Sequence, residues 1–261
     1  MMLCKTDSML DIDLDHRAWD TQHFGYPVAA IRNSDLEPEA VERALHAAHK
    51  QGYQLVYWGS SREHDIDAAW LREYQGMLVD RKTTYAKTLQ PAIANTDYGT
   101  FQSVEWNPDE HSPELIELGV AAGLWSRFGV DPRIAPDKFR SLYETWMQKS
   151  VARELSDMVL VVQERGSTTP LGMVTISIKQ GIGQIGLIAV GEQQRGRGLG
   201  KILVDAADRW MIKHGAHAAQ VVTQLHNVAA CRLYEQAGYK VEAIEYYYHF
   251  WLPARVQAIR A

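Results

Sequence analysis

Hydrophobic spacing in the second half of the chain switches repeatedly between a strand period and a helix period. Short β-branched runs predict strands at 158–162, 173–178 and 185–190. A long amphipathic run predicts a helix at 199–214, which ends before Gly215. The same rules predict further strands at 101–106, 219–224 and 241–251, and helices at 112–124, 138–149 and 228–236. Residues 126–137 have the pattern of a loop.

The first third of the chain shows a shorter alternation of the same kind. Its pattern predicts the order β-α-β-α-β, with elements at 28–31, 38–51, 54–58, 65–74 and 77–89. Residues 90–100, with the sequence QPAIANTDYGT, combine Pro, Asn, Asp and Gly, as linkers and long turns do. We therefore expect a smaller β/α domain at 1–95 and a larger α/β domain at 101–261.

Composition narrows the class of protein. The 261 residues include 27 Lys+Arg and 32 Asp+Glu, so the formal net charge is −5 and the basic excess of a nucleic-acid binder is absent. No apolar run approaches the ~20 residues that cross a bilayer, and the N-terminus has no signal-peptide pattern. Two distant cysteines do not indicate a disulfide framework. We expect a cytoplasmic protein whose partners include neither nucleic acid nor membrane.

The most informative segment is a glycine-rich loop between the strand at 185–190 and the helix at 199–214. Gly196, Gly198 and Gly200 let backbone N–H groups turn toward a ligand, and the helix N-terminus adds partial positive charge. Arg195, Arg197 and Lys201 add three cations. The spacing G-x-G-x-G matches neither the dinucleotide fingerprint nor the P-loop. A ligand-free connection is the alternative, but the sequence favours a pyrophosphate cradle.

The helix predicted at 228–236 carries a second group of interest. Asn227 follows a strand directly, where its side chain can cap the helix. Tyr234 lies seven residues later, two turns along the same face. A phenol with a pKa near 10 can give a proton to a departing thiolate. The alternative is an aromatic residue that only packs in the core.

Arg195-Gly-Arg-Gly-Leu-Gly200, followed by Asn227-x-x-Ala-x-x-x-Tyr234, resembles the GCN5-related N-acetyltransferase (GNAT) family over about 101–251. The resemblance implies a mixed central sheet flanked by helices and acetyl-CoA as co-substrate, without a metal. It implies that the preceding strand runs beside pantetheine, that Asn227 contacts pantetheine, and that Tyr234 is the catalytic acid at the thioester sulfur. The cofactor contacts it implies are Leu187, Ile188, Ala189, Val190, Arg195, Gly196, Arg197, Gly198, Leu199, Gly200, Lys201, Asn227 and Tyr234.

Three shorter sequence motifs indicate which kind of amine accepts the acetyl group. Trp19-x-x-x-x-Phe-Gly25, Arg127-Phe128 and Thr223-Gln224-x-x-Asn227 resemble GNAT members that acetylate nucleotide-linked amino sugars. This implies a dTDP-linked 4-amino-4,6-dideoxy sugar as the small-molecule substrate. Arginine forks suit a diphosphate, and aromatic rings suit a base or sugar. The expected substrate contacts are Arg127, Asp131, Arg133, Tyr143, Thr223 and Gln224.

Other interpretations stay open on the sequence alone. The acceptor could be a peptide N-terminus, a polyamine or another small amine, and the chain could be a non-catalytic acyl-CoA-binding module. Cys231 shares a helix face with Tyr234, but a small buried thiol is favoured over a nucleophile. His214 and His217 lack the carboxylate and helical context of a zinc site. A homodimer joined through sheet edges is expected, and no general base is identified.

Overall fold

The computed structural model describes residues 14–64, 66, 68–90 and 97–253, and these fall into two compact units. The first unit contains the described residues up to Asp80 together with those from Glu245 onward, and the second contains Arg81–Ile244. This division does not coincide with the ranges 1–95 and 101–261, because strands β4 (Gly76–Thr88) and β10 (Lys240–Trp251) each contribute to both units. Residues 91–96 of the expected linker lie outside the described residues.

The second unit follows the predicted order closely. Its strands and helices are β5 (Phe101–Glu105), α4 (Pro113–Ala122), α5 (Arg127–Val130), α6 (Pro136–Val151), β6 (Met158–Glu164), β7 (Gly172–Lys179), β8 (Ile182–Val190), α7 (Leu199–Lys213), β9 (Ala218–Gln224) and α8 (Val228–Gln236). The expectation of a loop over 126–137 was wrong, because α5 and the first turn of α6 lie there. A four-residue helix is too short for a periodic signal.

The sheet of the second unit has the strand order β4-β9-β8-β7-β6-β5. Neighbouring strands are antiparallel except β8 and β9, which are parallel. Alternate residues of β6 show that both faces are covered. Leu160 and Val162 belong to the core beneath α7, while Val159 and Val161 are equally buried but point to the other face. The predicted mixed sheet flanked by helices is confirmed.

Helices α4 and α6 pack together beside the sheet at a point that only glycine permits. Ser112 caps α4, with its hydroxyl accepting a hydrogen bond from the Leu115 N–H at 3.2 Å. At the other end of α4, a Cβ on Gly123 would lie 2.3 Å from the Tyr143 ring. The missing side chain therefore lets the two helices approach closely where the chain turns from α4 toward α5.

The first unit is a smaller β/α arrangement. Its elements are β1 (Leu14–His16), α1 (Ala18–Phe24), β2 (Val28–Ile31), α2 (Pro38–Lys50), β3 (Leu55–Ser60), α3 (Ala68–Glu73) and parts of β4 and β10. Strands β1, β2, β3 and β10 are adjacent in that order, and only β2 and β3 run parallel. The sequence did not predict β1 or α1. Within the described ranges, none of the helices has the length and apolarity needed to span a bilayer.

Candidate active site

The central feature of the second unit is the point at which β8 and β9 separate. The two strands pair only from Ile182↔Ala218 to Ile185↔Val221. After the last of these pairs, the two strands have different neighbours. Strand β8 continues to Val190 beside β7, and residues 222–224 of β9 pair with β4. We call residues 186–190 and 222–224 the fork. Each strand of the fork has one backbone edge that the other strand does not satisfy, so a ligand with amide groups can bind there.

A β-bulge lies on β8 at the start of the fork. Between the pairs Val174↔Ile188 and Ile176↔Ile185, two residues of β8 oppose one residue of β7. Thr175, fully buried, accepts a hydrogen bond at its Oγ1 from the Leu187 N–H at 2.8 Å. A Cβ on Gly186 would lie 2.7 Å from that oxygen. Thr175 and Gly186 thus hold the bulge together.

A cavity of about 270 Å³ opens at the fork, on the sheet face that α6 covers. Its lining includes Gly186, Val222, Trp146 and Leu155. A larger cavity of about 790 Å³ lies elsewhere in the unit, beside Lys87 and Asp208, and contains none of the predicted site residues. The smaller cavity also contains none of them, but Gly186 and Val222 in its lining directly precede two of them, Leu187 and Thr223, in sequence.

The glycine loop has the backbone geometry that an anion site needs. Gly196 and Gly198 both have φ of +79°, which glycine adopts at little cost. Gly198 is the N-cap of α7, and no side chain caps that end. Within the described part of the chain, the N–H groups of residues 196–201 donate no hydrogen bond. Gly200 has a different role, since its Cα faces Leu233 of α8.

The three cations of the loop are not equivalent. The Arg197 guanidinium pairs with Glu164 at 3.0 Å and lies 4.8 Å from the centre of the Phe101 ring. Arg195 and Lys201 are exposed, and neither forms an ion pair with another described residue. Two of the three predicted cations therefore remain available to a ligand, while Arg197 is held against β5 and β6.

Helix α8 carries Asn227 and Tyr234 as the sequence predicted. The Asn227 Oδ1 accepts a hydrogen bond from the Ala230 N–H at 3.3 Å and caps the helix. Tyr234 is 1% exposed, with its ring centre 5.9 Å from those of Tyr85 and Tyr239. Burial raises the pKa of the Tyr234 phenol above its usual value, so the group stays protonated and able to donate. Its hydroxyl makes no hydrogen bond to the described residues.

Several residues between α4 and α6, and on α6 itself, were predicted to contact the substrate but mainly contact other parts of the protein. Asp131 is 2% exposed and accepts hydrogen bonds from the Arg133 N–H at 3.1 Å and from its Nε at 3.2 Å. Tyr143 is 4% exposed and packs against Gly123. The Arg127 guanidinium lies 4.6 Å from the centre of the Phe128 ring. Asp131 thus braces the loop, and Tyr143 fills the space between two helices.

Thr223 and Gln224 lie on opposite faces of β9, because successive strand residues point in opposite directions. Thr223 is buried beside Thr83 of β4, whereas Gln224 is half-buried. Only one of the two can face a given side of the fork. Cys231 is buried, and its Sγ lies 3.7 Å and 3.8 Å from the carbonyl oxygens of Gln224 and Leu225. It is a packed thiol, as favoured from the sequence.

Comparison with known proteins agrees with this geometry. Residues 123–239 match the model of the acetyltransferase (GNAT) family. The chain is 31% identical over 230 residues to dTDP-fucosamine acetyltransferase of Escherichia coli O6:H1, covering 88% of this chain and 94% of that protein. The chain belongs to the GNAT family. It is an acetyltransferase, and the resemblance expected from the glycine loop and the Asn/Tyr helix is confirmed.

Two further proteins are similar to this chain. The chain is 26% identical over 150 residues to the spore coat polysaccharide biosynthesis protein SpsD of Bacillus subtilis (strain 168), covering 55% of this chain and 49% of that one. A GCN5-related N-acetyltransferase from Sphaerobacter thermophilus superposes with a TM-score of 0.60 at 16% identity, covering 92% of this chain and 77% of that one. At that identity the likeness concerns the fold alone, and it extends over both units.

Sequence reasoning missed the two residues that hold the bulge and one contact between aromatic rings. Gly186, a lone glycine inside a strand pattern, was a usable sign of a bulge. Thr175 had no such sign, because its role depends on the strand opposite. The contact between Trp125 and His226, whose ring centres are 5.5 Å apart, also had no sign, because the two residues lie about 100 residues apart in sequence.

Replacing Thr175 by Val is expected to lower the free energy of unfolding by about 1–3 kcal/mol, because the buried Leu187 N–H loses its acceptor without a change of shape. Thr175→Ser keeps the oxygen and is the matched control, with a smaller loss expected. Urea unfolding of the three proteins measures the difference. A Val variant as stable as the wild type would show that this hydrogen bond does not hold the bulge.

Proposed function

We propose that this GNAT enzyme transfers an acetyl group from acetyl-CoA to the amino group of a nucleotide-linked sugar, a dTDP-4-amino-4,6-dideoxy sugar. The observation that carries the proposal is the fork. An unsatisfied strand edge leads from a glycine loop with free N–H groups and cations to a cavity lined by Trp146 of α6, the helix that follows the arginine-containing segment. The donor and the acceptor therefore have separate approaches to one opening in the sheet.

Acetyl-CoA fits the first of these approaches. The N–H groups of residues 196–201 and the side chains of Arg195 and Lys201 suit a pyrophosphate, since helix N-termini and cations both stabilise anions. The free edge of β8 over residues 187–190 suits the amide groups of pantetheine, which would pair with it as an added strand does. Together they would direct the thioester into the fork.

Tyr234 suits the role of general acid. In the proposed reaction the neutral amine attacks the thioester carbonyl, a C–N bond forms, and the C–S bond breaks to release a thiolate. The thiolate needs one proton, and the phenol of Tyr234, kept protonated by burial, would supply it. The proton that the sugar ammonium loses before attack goes to a base that we do not assign.

The choice of acceptor rests on relatives and on charge. The E. coli relative is named for dTDP-fucosamine, and the B. subtilis relative for polysaccharide biosynthesis. Arg127 and Arg133 on the segment between α4 and α6 favour an anionic acceptor over a polyamine or a peptide N-terminus. A protein that binds acyl-CoA without catalysis would not need Tyr234 in this environment.

The substrate assignment is tested by following thiol release from acetyl-CoA with dTDP- and UDP-amino sugars, polyamines and peptides as acceptors. We expect release with a dTDP-4-amino sugar at a higher kcat/KM than with any polyamine or peptide. Release only with polyamines or peptides would assign the enzyme to a different acceptor class. Tight acetyl-CoA binding without release for any acceptor would favour the binding module.

Replacing Tyr234 by Phe is expected to lower kcat by about 10²- to 10⁴-fold, the usual contribution of a general acid, with little change in the KM for acetyl-CoA. Tyr239→Phe is the matched control, because Tyr239 is also buried but its hydroxyl donates to Asp208 at 2.7 Å. We expect the control to lose stability and keep its kcat. An unchanged kcat in the Tyr234 variant would remove this residue from the mechanism.

The loop cations are expected to differ in their effect on acetyl-CoA affinity. Arg195→Ala should raise the Kd by roughly tenfold, because it removes a charged contact with the pyrophosphate. Arg197→Ala should raise it less, since Glu164 and Phe101 already occupy that side chain. Calorimetric titration at two salt concentrations measures both, and the Arg195 effect should shrink at high salt. A larger effect at Arg197 would contradict this orientation of the loop.

A further inference from the structure

We propose that Trp125 and His226 form an aromatic clamp that holds the nucleoside part of the acceptor at the mouth of the fork. This inference rests on the proposed function, because it names the residues that would select a nucleotide-linked sugar. Trp125 follows α4, and His226 lies in the turn between β9 and α8, next to Asn227. The two rings therefore bring the acceptor side of the unit together with the helix that carries Tyr234.

Exposed apolar side chains of the second unit are concentrated around this pair. Large hydrophobic residues are normally buried, and a cluster exposed to water is typical of a binding surface. Seven large hydrophobic side chains are exposed among the described residues of this unit, and six of them line the cavity or lie within two residues of Trp125 or His226 in sequence, whereas Val241 does neither. The six are Leu124, Trp125, Leu155, Val222, Leu225 and Val228.

The geometry of the pair leaves room for a planar ligand. Trp125 is 48% exposed, and its ring centre lies 5.5 Å from that of His226. The planes are inclined at 55°, so neither ring covers the face of the other. A base can stack on the indole with its edge toward the imidazole, and base–aromatic stacking tolerates any base because each has a π-face.

Charge next to the clamp favours a nucleoside diphosphate over a plain amine. Arg127 comes two residues after Trp125, so their Cα atoms are at most about 7 Å apart. Arg133 lies on the same segment and is partly neutralised by Asp131. A base on Trp125 would place its phosphates near Arg127, with the sugar directed to the cavity beside Trp146.

The clamp is tested first by binding, which does not depend on catalysis. Calorimetric titration of dTDP into the CoA-saturated full chain compares wild type, Trp125→Ala, Trp125→Phe and His226→Ala. Loss of one stacked base corresponds to about a 5- to 150-fold rise in Kd, which we expect for Trp125→Ala. Trp125→Phe keeps a ring and should retain most of the affinity. His214→Ala is the matched control, since His214 stacks on Trp210 of α7 at 3.9 Å, outside the fork.

A kinetic measurement follows with the dTDP-amino sugar as acceptor. Trp125→Ala should raise the KM for the acceptor and leave the kcat and the KM for acetyl-CoA unchanged. Inorganic pyrophosphate, which has no base, should bind Trp125→Ala and wild type equally. Circular dichroism and CoA affinity establish that each variant is folded.

Three outcomes overturn the clamp: wild type that does not bind dTDP, equal dTDP affinity in wild type and Trp125→Ala, or an equal loss of pyrophosphate binding in that variant. Failure of the proposed function has a different result. If dTDP binds through Trp125 but no dTDP-amino sugar is acetylated, the clamp stands and the acceptor assignment fails.

Discussion

The separation of β8 from β9 after four paired residues is the constraint on which the site depends. Parallel strands that stayed paired would satisfy each other's backbone groups and leave no edge for a ligand. The bulge opposite Thr175 turns β8 away at this position, and its cost is offset by a buried hydrogen bond to the Leu187 N–H. The opening is thus built into the sheet.

The elements around the opening are held by contacts distant from it. Lys87 of β4 contacts Asp208 of α7 and donates to the Ala237 carbonyl at 2.9 Å, just after α8 ends. Tyr239 donates to the same carboxylate at 2.7 Å. The network joins β4 to the middle of α7 and to the residue that follows α8. Lys87 thus links the C-terminal end of α8 to the sheet.

The residues predicted to contact the acceptor differ from those of the glycine loop, because several of them pack within the protein. Tyr143 fills the space that Gly123 leaves open, and Asp131 braces its own loop through Arg133. In the proposed function, recognition of the acceptor depends on the half-buried Arg127 and on the exposed rings at 125 and 226. A fold can keep its donor site while such exposed residues change, which is why the GNAT fold by itself does not determine the acceptor.

The sequence by itself determined most elements of the second unit, the glycine loop, the Asn227 cap and membership of the GNAT family. These depend on hydrophobic periodicity, turn chemistry and short motifs, all of which are local. Only the tertiary structure decided that Arg197 is paired, that Thr223 and Gln224 face opposite ways, and that Trp125 meets His226. It also decided that β10 returns to the first unit. Such features arise where strands and loops distant in sequence come together, and no local sequence pattern indicates these contacts.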